Sequence, residues 1–237
     1  MSTRGMQAVV MAGGEGSRLR PLTSNLPKPM LPVANRPLME HIVELLRKHG
    51  FTNIVVTVQF LSSMIRNYFG DGQDIGVSVS YSAEDIPLGT AGSVLNAGPL
   101  LSGPFLVISG DALTDLDLSD VVRFHRDRGA AATLVLKRMH DPLEFGIVMT
   151  AEDGRIDRFL EKPTWGQVFS DTVNTGIYVL EPEVLDLIPV GQPYDFSSEL
   201  FPGMLDKGLP LYGYVLDGYW TDVGTTDAYL QAHRDVL

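Results

Sequence analysis

The sequence predicts an α/β fold, a three-layer α/β/α sandwich around a mixed, mainly parallel sheet. Short apolar runs typical of buried strands alternate with segments whose apolar residues recur at helical spacing. Repeated βα units of this kind build parallel sheets that are covered by helices and connected by right-handed crossovers. The 237 residues, of which 44% are hydrophobic, are enough for a sizeable core.

The first half of the chain supplies most of the βα alternation. Strands are predicted over residues 8–11, 54–58, 77–81 and 105–109, and helices over residues 37–49, 61–69 and 90–97. Ligands of such sheets gather at the carboxyl ends of the strands. The loop after Met11 and the glycine turn at Asp111 should therefore lie together at that edge.

The second half is richer in strands. Helices are predicted over residues 119–128, 196–207 and 225–236, the last capped by Thr225 or Thr226. Strands are predicted over residues 130–137, 145–150, 156–161, 173–180 and 211–216, with a hairpin turn at 152–155. No composition shift or repeat divides the chain, so we expect a single domain over residues 1–237 with halves of about 1–118 and 119–237.

The composition excludes several partners and sites. The net charge of −11 argues against nucleic acid or an anionic membrane as a partner. No cysteine is present, which excludes disulfides and thiolate metal sites and is compatible with a cytoplasmic enzyme. Residues 1–5 are polar and no apolar run approaches membrane length, so neither a signal peptide nor a transmembrane helix is indicated.

A loop with few side chains follows the first strand. Its backbone N–H groups can approach an anion closely, and a concavity of N–H groups suits phosphate. Two cations follow, Arg18 and Lys28, and Lys28 lies between two prolines that stiffen its loop. Together these features predict a polyphosphate site. Its predicted loop residues are Ala12, Gly13, Gly14, Gly16 and Ser17.

Two better-known phosphate loops do not match this stretch. The Walker pattern needs Gly-Lys-Ser/Thr, whereas Gly16 is followed by Ser17 and Arg18. The dinucleotide pattern G-x-G-x-x-G fits Gly14 and Gly16 but has Leu19 in the last glycine position. A structural glycine turn remains the alternative, and the two added cations argue against it.

From this loop onward the sequence resembles the sugar-phosphate nucleotidyltransferases, which make NDP-sugars. The resemblance rests on GGEGSRLRPLT…PKPMLPVANRP and continues, in family order, through PLGTAGSV, ISGDALTD, FGIV, FLEKP, NTGIYVLEP and WTDVGT. The chain is most similar to the mannose-1-phosphate guanylyltransferase branch. This resemblance implies a Rossmann-like, GT-A-like sheet with a nucleotide-binding first half and a sugar-phosphate-binding second half. Many members carry a left-handed β-helix after this domain, so an end at Leu237 fits a short member or a piece of a longer chain.

The implied activity is nucleotidyl transfer from an NTP to a hexose 1-phosphate, with release of pyrophosphate. GTP and mannose 1-phosphate are favoured, and a glucose-1-phosphate thymidylyl- or uridylyltransferase is the alternative. The attacking phosphate oxygen is already an anion at neutral pH, so charge neutralisation and positioning matter more than a general base. The predicted catalytic residues are Arg18, Lys28, Asp111 and Lys162. None of the five histidines is expected to take part.

Two aspartates are predicted to hold Mg²⁺. Asp111 ends an apolar strand at a glycine turn, and Asp222 lies in the stretch WTDVG near the other end of the chain. Magnesium is commonly bound by one or two carboxylates together with phosphate oxygens. The resemblance places the family's metal-binding aspartates at these positions, although either residue taken alone is more typical of a turn or a helix cap.

The stretch Asp115-Leu116-Asp117 offers a competing interpretation. It matches the D-x-D pattern with which glycosyltransferases hold an NDP-sugar through a metal ion. We favour two solvated acids that lead into the helix at residue 119, because acidic side chains stabilise a helix N-terminus and Asp111 already occupies the strand end.

The sugar phosphate is assigned to the second half. Lys162 can neutralise its phosphate, while Glu161 can accept hydrogen bonds from sugar hydroxyls. The resemblance adds Gly146, Asn174 and Thr175 as contacts: the glycine would leave space for the sugar ring, and the two polar side chains could bond hydroxyls. Phe145 and Trp220 are expected to pack in the core rather than to stack on the sugar.

Base selection is assigned to residues 82–93. Gly89 would leave room for a flat base, and Glu84 could accept hydrogen bonds from the N1–H and N2–H₂ groups of guanine, although a solvated loop acid is an equal alternative. The stretch Lys28-Pro29-Met30 and Gly92 favour guanylyl transfer. The predicted contacts in this stretch are Glu84, Leu88, Gly89 and Thr90, and Gly110 is predicted to bind the nucleotide elsewhere.

A function of another class is also open: a non-catalytic regulatory subunit that binds nucleotide sugars. The presence of every predicted catalytic residue argues against it. Neither nucleic acid nor membrane is expected as a partner, and the oligomeric state stays open, with a homo-oligomer as one option.

Overall fold

The computed structural model describes residue 3 and residues 5–237. Met1, Ser2 and Arg4, which belong to the polar N-terminal stretch discussed above, lie outside the described residues. Among the described residues, no helix combines the length and the apolar character that a membrane crossing requires.

Thirteen strands are formed by the described residues. In chain order they are β1 (Gln7–Met11), β2 (Pro32–Val33), β3 (Arg36–Pro37), β4 (Asn53–Val58), β5 (Ser78–Ala83), β6 (Phe105–Ser109), β7 (Ala112–Thr114), β8 (Ala132–Arg138), β9 (Ile147–Thr150), β10 (Ile156–Leu160), β11 (Thr172–Leu180), β12 (Leu211–Val215) and β13 (Trp220–Asp222).

Six α-helices accompany these strands. They are α1 (Leu38–Lys48), α2 (Ser62–Phe69), α3 (Gly89–Ala97), α4 (Leu118–Arg128), α5 (Phe201–Asp206) and α6 (Thr226–Val236). A π-helical turn, Phe196–Leu200, runs directly into α5. Each of the helices and strands predicted above has an observed counterpart. The predicted helix over residues 196–207 is therefore a π-helical turn followed by a short α-helix.

The main sheet has nine strands. Along most of it the order is β10, β9, β11, β6, β1, β4 and β5, while β8 pairs with β11 and β12 pairs with β8. The strands β6, β1, β4 and β5 run parallel. The strand β11 runs antiparallel to its neighbours β6, β8 and β9. The sheet is therefore mixed: its first-half strands are all parallel, and its antiparallel pairings all involve second-half strands.

Helices cover both faces of the sheet, because successive residues of a strand point to opposite sides. Ala8 and Val10 belong to a buried cluster that includes apolar residues of α1, α2 and α4. Val9 belongs to a second cluster, which includes residues of α3 and α5. This arrangement gives the three predicted layers. The division into a nucleotide half and a sugar-phosphate half stays a prediction.

The parallel register brings the expected loops together. Met11 at the end of β1 pairs with Ser109 at the end of β6, and the Gly110 N–H donates to the Met11 carbonyl at 2.8 Å. The short strands β7 and β13 then pair antiparallel, with Asp222 opposite Ala112. Asp222 therefore lies beside Asp111, and the Val223 N–H donates to the Asp111 carbonyl at 3.1 Å.

The N-terminus of α4 provides a stability test. The Asp117 carboxylate accepts hydrogen bonds from the N–H groups of Ser119 at 2.9 Å and Asp120 at 3.3 Å. Asp117→Ala should therefore lower the free energy of unfolding by about 1 kcal/mol, as measured by chemical denaturation. Asp117→Asn is the matched control, because asparagine caps helices about as well as aspartate. An equal loss in both variants would show that the charge, and not the cap, stabilises the helix.

Candidate active site

Two cavities lie side by side at the carboxyl edge of the sheet. The first has a volume of about 360 Å³ and the second of about 270 Å³. Five residues line both of them: Met11, Thr90, Ser109, Asp111 and Asp195. The two cavities therefore adjoin each other near Asp111.

The first cavity contains most of the residues predicted to bind a nucleotide. Those that line it are Ala12, Gly13, Gly14, Glu84, Leu88, Gly89, Thr90 and Gly110, and the predicted catalytic residues Lys28 and Asp111 line it as well. Gly16 and Ser17 do not line it. Gly16, with φ of 63°, instead starts the short 3₁₀ turn Ser17–Leu19. Residues 12–14 are thus the part of the loop that lines the cavity and would face a ligand.

The boundary between the cavities is a cluster of charges. The Lys28 side chain is 10% exposed, and its ammonium donates to Asp111 Oδ2 and, at 3.3 Å, to Asp222 Oδ1. Arg18 Nη2 lies 3.8 Å from Asp222 Oδ2, and the Ser109 hydroxyl donates to Asp111 Oδ1. Two carboxylates therefore converge on one ammonium, with a second cation at the edge.

The surroundings shift the pKa values of the two aspartates in opposite directions. Burial alone would raise the pKa of Asp111, but the charge of the Lys28 ammonium and the hydrogen bond from Lys28 outweigh burial and leave that pKa below its ordinary value. Burial and the neighbouring Asp111 carboxylate raise the pKa of Asp222, against the opposing effect of Lys28. Positive charge from Lys28 therefore favours the ionised form of both carboxyl groups, against the effect of burial.

This cluster suits a hard cation with an open coordination shell. Both aspartates offer carboxylate oxygens, which Mg²⁺ prefers. Among residue 3 and residues 5–237, no three His, Asp or Glu side chains form a closed metal cage. A pair of carboxylates that leaves other positions to phosphate oxygens matches the way in which magnesium is usually held next to phosphates.

The second cavity contains every residue predicted to bind the sugar phosphate. Gly146, Glu161, Lys162, Asn174 and Thr175 all line it, together with Arg18 and Asp222. Burial and, secondarily, the Asp195 carboxylate raise the pKa of Glu161. Arg18 therefore lies on the sugar-phosphate side of the boundary, whereas Lys28 lines the nucleotide side.

The expected hydroxyl contacts of Asn174 and Thr175 stay a prediction, which the hydrogen bonds of the two side chains restrict. The Asn174 amide donates to Tyr178 Oη at 2.9 Å and to Ser197 Oγ at 3.0 Å. The Thr175 hydroxyl donates to the Val135 carbonyl at 2.8 Å. The donors of both side chains are thus used within the protein. What these side chains can still offer a sugar is an acceptor oxygen.

The reasons given above for Gly89 and Gly146 are wrong. A Cβ atom on Gly89 would lie 2.6 Å from the Tyr194 carbonyl oxygen, and Gly89 has φ of 72°. A Cβ atom on Gly146 would lie 2.7 Å from Glu161 Oε2 and 2.7 Å from the Phe159 ring. These glycines therefore make room for neighbouring parts of the chain rather than for a base or a sugar ring.

Other predicted roles can be compared with the packing. Trp220 is 8% exposed and packs edge-to-face against the half-buried Phe145, with ring centroids 5.6 Å apart, but both residues also line the second cavity, so core packing alone does not describe them. Asp115 and Asp117 are exposed and line neither cavity; Asp115 accepts from the Tyr219 N–H at 2.8 Å and Asp117 caps α4. The D-x-D pattern is thus structural, and no histidine lines either cavity.

Several lining residues were missed by the sequence analysis. Gln59 and Thr57 line the first cavity, Ser197 and Tyr178 the second, and Asp195 both. Gln59 directly follows β4, so the rule that ligands gather at strand ends could have identified it. Asp195 precedes Phe-Ser-Ser and caps the π-helical turn. Its sequence pattern indicates a cap and nothing more.

Comparisons with known proteins agree with this architecture. The sequence matches the model of the nucleotidyl transferase family over residues 7–237. A UTP–glucose-1-phosphate uridylyltransferase of Synechocystis is 44% identical over 98% of this chain and 63% of its own length. A mannose-1-phosphate guanylyltransferase of Mycobacterium tuberculosis is 39% identical over 100% of this chain and 66% of its own. The chain therefore spans slightly less than two thirds of these curated relatives.

The fold is shared with solved structures. A Bacillus anthracis protein assigned as a glucose-1-phosphate thymidylyltransferase superposes with a TM-score of 0.88 at 27% identity, and the alignment covers 97% of this chain and 94% of that one. Together with the family match over residues 7–237, this similarity confirms the predicted α/β fold. The chain belongs to the nucleotidyl transferase family.

Proposed function

We propose that this chain carries the active site of a sugar-1-phosphate nucleotidyltransferase, which joins an NTP to a hexose 1-phosphate and releases pyrophosphate. The observation that carries the proposal is the pair of cavities that meet at Asp111 beside the Lys28 cluster. One cavity offers bare backbone next to a lysine, and the other offers Arg18, Lys162 and Glu161. Two phosphate-bearing ligands fit such a division of charge.

The residues at the boundary act by charge and position. The sugar phosphate oxygen attacks the α-phosphorus of the NTP, a new P–O bond forms, and the bond to pyrophosphate breaks. Because both reactants are anions, Arg18 and Lys162 would hold the attacking phosphate while Lys28 holds the phosphates of the NTP. Preorganised cations of this kind stabilise negative charge that shifts between oxygens during the transfer.

We further propose that Asp111 and Asp222 hold a magnesium ion. Support comes from the convergence of their carboxylates on a single cation, Lys28. When bound, magnesium supplies positive charge to the phosphates and orients their oxygens. Lys28 must then move from the carboxylates toward the phosphates, and the adjoining first cavity, which Lys28 lines, provides the space.

GTP and mannose 1-phosphate remain the favoured substrates, in keeping with the M. tuberculosis relative. UTP or dTTP with glucose 1-phosphate is the alternative, and the Synechocystis relative supports it. Glu84 bears on this choice. One of its oxygens accepts from the Leu88 N–H at 3.2 Å, while Oε1 is buried without a hydrogen-bond partner. A carboxylate oxygen of this kind suits a ring N–H, which guanine, uracil and thymine share.

The activity is tested by measuring pyrophosphate release. Each of four NTPs is combined with mannose 1-phosphate or glucose 1-phosphate in the presence of Mg²⁺, and at least one pair should give turnover. Asp111→Asn and Asp222→Asn should each reduce kcat by two orders of magnitude or more, about the loss seen when a preorganised charge partner is removed. Asp115→Asn is the control and should stay near wild type. A protein that binds nucleotide sugars but releases no pyrophosphate would instead be a regulatory subunit.

Base selection is tested at Glu84. Glu84→Gln should lower kcat/KM for GTP by about ten- to a hundred-fold, because losing a hydrogen bond to a charged acceptor costs roughly 1.5–3 kcal/mol. CTP is the matched control substrate, since cytosine has a ring acceptor where guanine has N1–H, so its kcat/KM should change little. If the ratio of kcat/KM for GTP to kcat/KM for CTP is the same in Glu84→Gln and in wild type, Glu84 only supports the Leu88 loop and does not read the base. A wild-type preference for UTP or dTTP would overturn the guanylyl assignment alone.

The contact of Lys28 with both carboxylates predicts an antagonism between this lysine and a metal ion. Unit charges of like sign 4 Å apart repel by about 4 kcal/mol at an effective dielectric constant of 20. Lys28→Met should therefore bind Mn²⁺ at least about tenfold more tightly than wild type without nucleotide, because a tenfold change requires only about 1.4 kcal/mol. Electron paramagnetic resonance of free Mn²⁺ measures this affinity, and Arg20→Met is the control. Equal or weaker Mn²⁺ binding by Lys28→Met would contradict the shared site.

A further inference from the structure

The N-terminus of α3 is capped from a distant part of the chain. Its N-cap residue, Leu88, makes no side-chain cap. Instead the Tyr194 carbonyl accepts hydrogen bonds from the N–H groups of Ala91 at 3.0 Å and Gly92 at 3.1 Å. The Tyr194 N–H donates in turn to the Leu88 carbonyl at 2.9 Å. Two of the orphan donors in the first turn of α3 are thus satisfied by a segment of the second half of the chain.

The capping is reciprocal. The Thr90 hydroxyl accepts from the Phe196 N–H at 2.9 Å and donates to Asp195 Oδ2 at 2.6 Å. The other carboxylate oxygen of Asp195 accepts from the N–H groups of Ser197 at 2.8 Å and Ser198 at 3.0 Å. Thr90 therefore completes the cap of the π-helical turn. In return Tyr194, the residue before Asp195, caps α3.

We call these two reciprocal caps, formed by residues 88–92 and 194–198, the double cap. It lies between the two cavities. Thr90 and Asp195 line both of them. On the first side, Leu88 is held by Glu84 at 3.2 Å. On the second side, the Ser197 hydroxyl accepts from the Asn174 amide at 3.0 Å. Hydrogen bonds and the backbone between them thus connect residues that line the first cavity with residues that line the second.

The double cap is also tightly packed. A Cβ atom on Gly89 would meet the Tyr194 oxygen at 2.6 Å, so the two backbones are already in close contact. Residues 85–87, 89 and 90 of the loop that leads into α3 are otherwise exposed. Their position therefore depends strongly on the contacts with residues 194–196, and a ligand that moves or orders one segment must act on the other.

We propose that Thr90 and Asp195 are a positioning pair that couples the two substrate sites. A nucleotide held by the Leu88–Thr90 backbone orders the turn at residues 195–198, and this turn fixes the Asn174 side of the sugar-phosphate cavity. Binding of one substrate then strengthens binding of the other, because the second finds its site already ordered. The inference rests on the proposed function for the identity of its ligands.

The decisive variant is Thr90→Val, which keeps the shape of the side chain and removes the hydroxyl that both donates and accepts. Thr90→Ser restores the hydroxyl. Thr225→Val removes a comparable cap from α6, outside both cavities, and is the control for lost stability. Thermal unfolding of all four proteins shows that the comparison is made between folded chains.

Coupling is measured by calorimetry with ligands that cannot react. The dissociation constant of mannose 1-phosphate is determined with and without GTP that carries an α,β-methylene bridge, and glucose 1-phosphate with the UTP analogue is measured in parallel. In wild type, Thr90→Ser and Thr225→Val, the nucleotide analogue should tighten sugar-phosphate binding by roughly five-fold or more. In Thr90→Val, the ratio of the dissociation constants without and with the analogue should fall to within about two-fold of unity, which is below the usual range of coupling between sites.

Hydrogen exchange gives a second readout. The nucleotide analogue alone should slow amide exchange in residues 194–198 of wild type and Thr90→Ser, but not of Thr90→Val. Coupling that survives in Thr90→Val, or two ligands that bind wild type independently, would overturn the positioning pair while leaving the proposed function intact. If wild type binds none of the four ligands, neither the two sugar phosphates nor the two nucleotide analogues, the result would count against the proposed function itself.

Discussion

Lys28 is a buried lysine whose ammonium contacts two aspartates, 83 and 194 positions further along the chain. A charge that leaves water needs partners, and a buried ion pair that loses one partner leaves an uncompensated charge behind. Three separate parts of the fold must therefore be in place at once: the loop after β1, the end of β6, and the β7–β13 pair. The overall charge of −11 makes this concentration of cations at one edge of the sheet more notable.

The same contact links stability to the proposed chemistry. In the structure the lysine neutralises carboxylates that repel each other, and the pKa values of Asp111 and Asp222 reflect that competition. A polyphosphate in the first cavity would offer the ammonium another set of anions, only a side-chain movement away. The proposed reaction then needs no proton transfer and no histidine. It needs the cations to change partners, which suits a long, flexible lysine side chain better than a rigid guanidinium.

The parts of the site that could be predicted from sequence are those that depend on local pattern. The loop after Met11 and the turn at Asp111 follow from the apolar runs that precede them and from the geometry of parallel sheets. Asp222 is different: β7 and β13 have three residues each, too few to show a period, so only the family resemblance indicated its place. The roles of Gly89 and Gly146 were misjudged because the atoms that crowd them come from Tyr194 and Glu161, which no local pattern connects to them.

Substrate choice can change in such a fold without disturbing the centre. In the proposed reaction the reacting groups are phosphates, which every NTP and every sugar 1-phosphate shares, so the Lys28 cluster would not contact the base or the sugar ring. The base would be read by residues near Glu84, and much of the adjoining loop is exposed and supported mainly through the double cap at Thr90 and Asp195. Exposed positions tolerate substitution at little cost in stability. Relatives named for UTP with glucose and for GTP with mannose are 44% and 39% identical to this chain, and the proposed division between a centre that handles phosphates and a loop that reads the base accounts for such a spread of substrates.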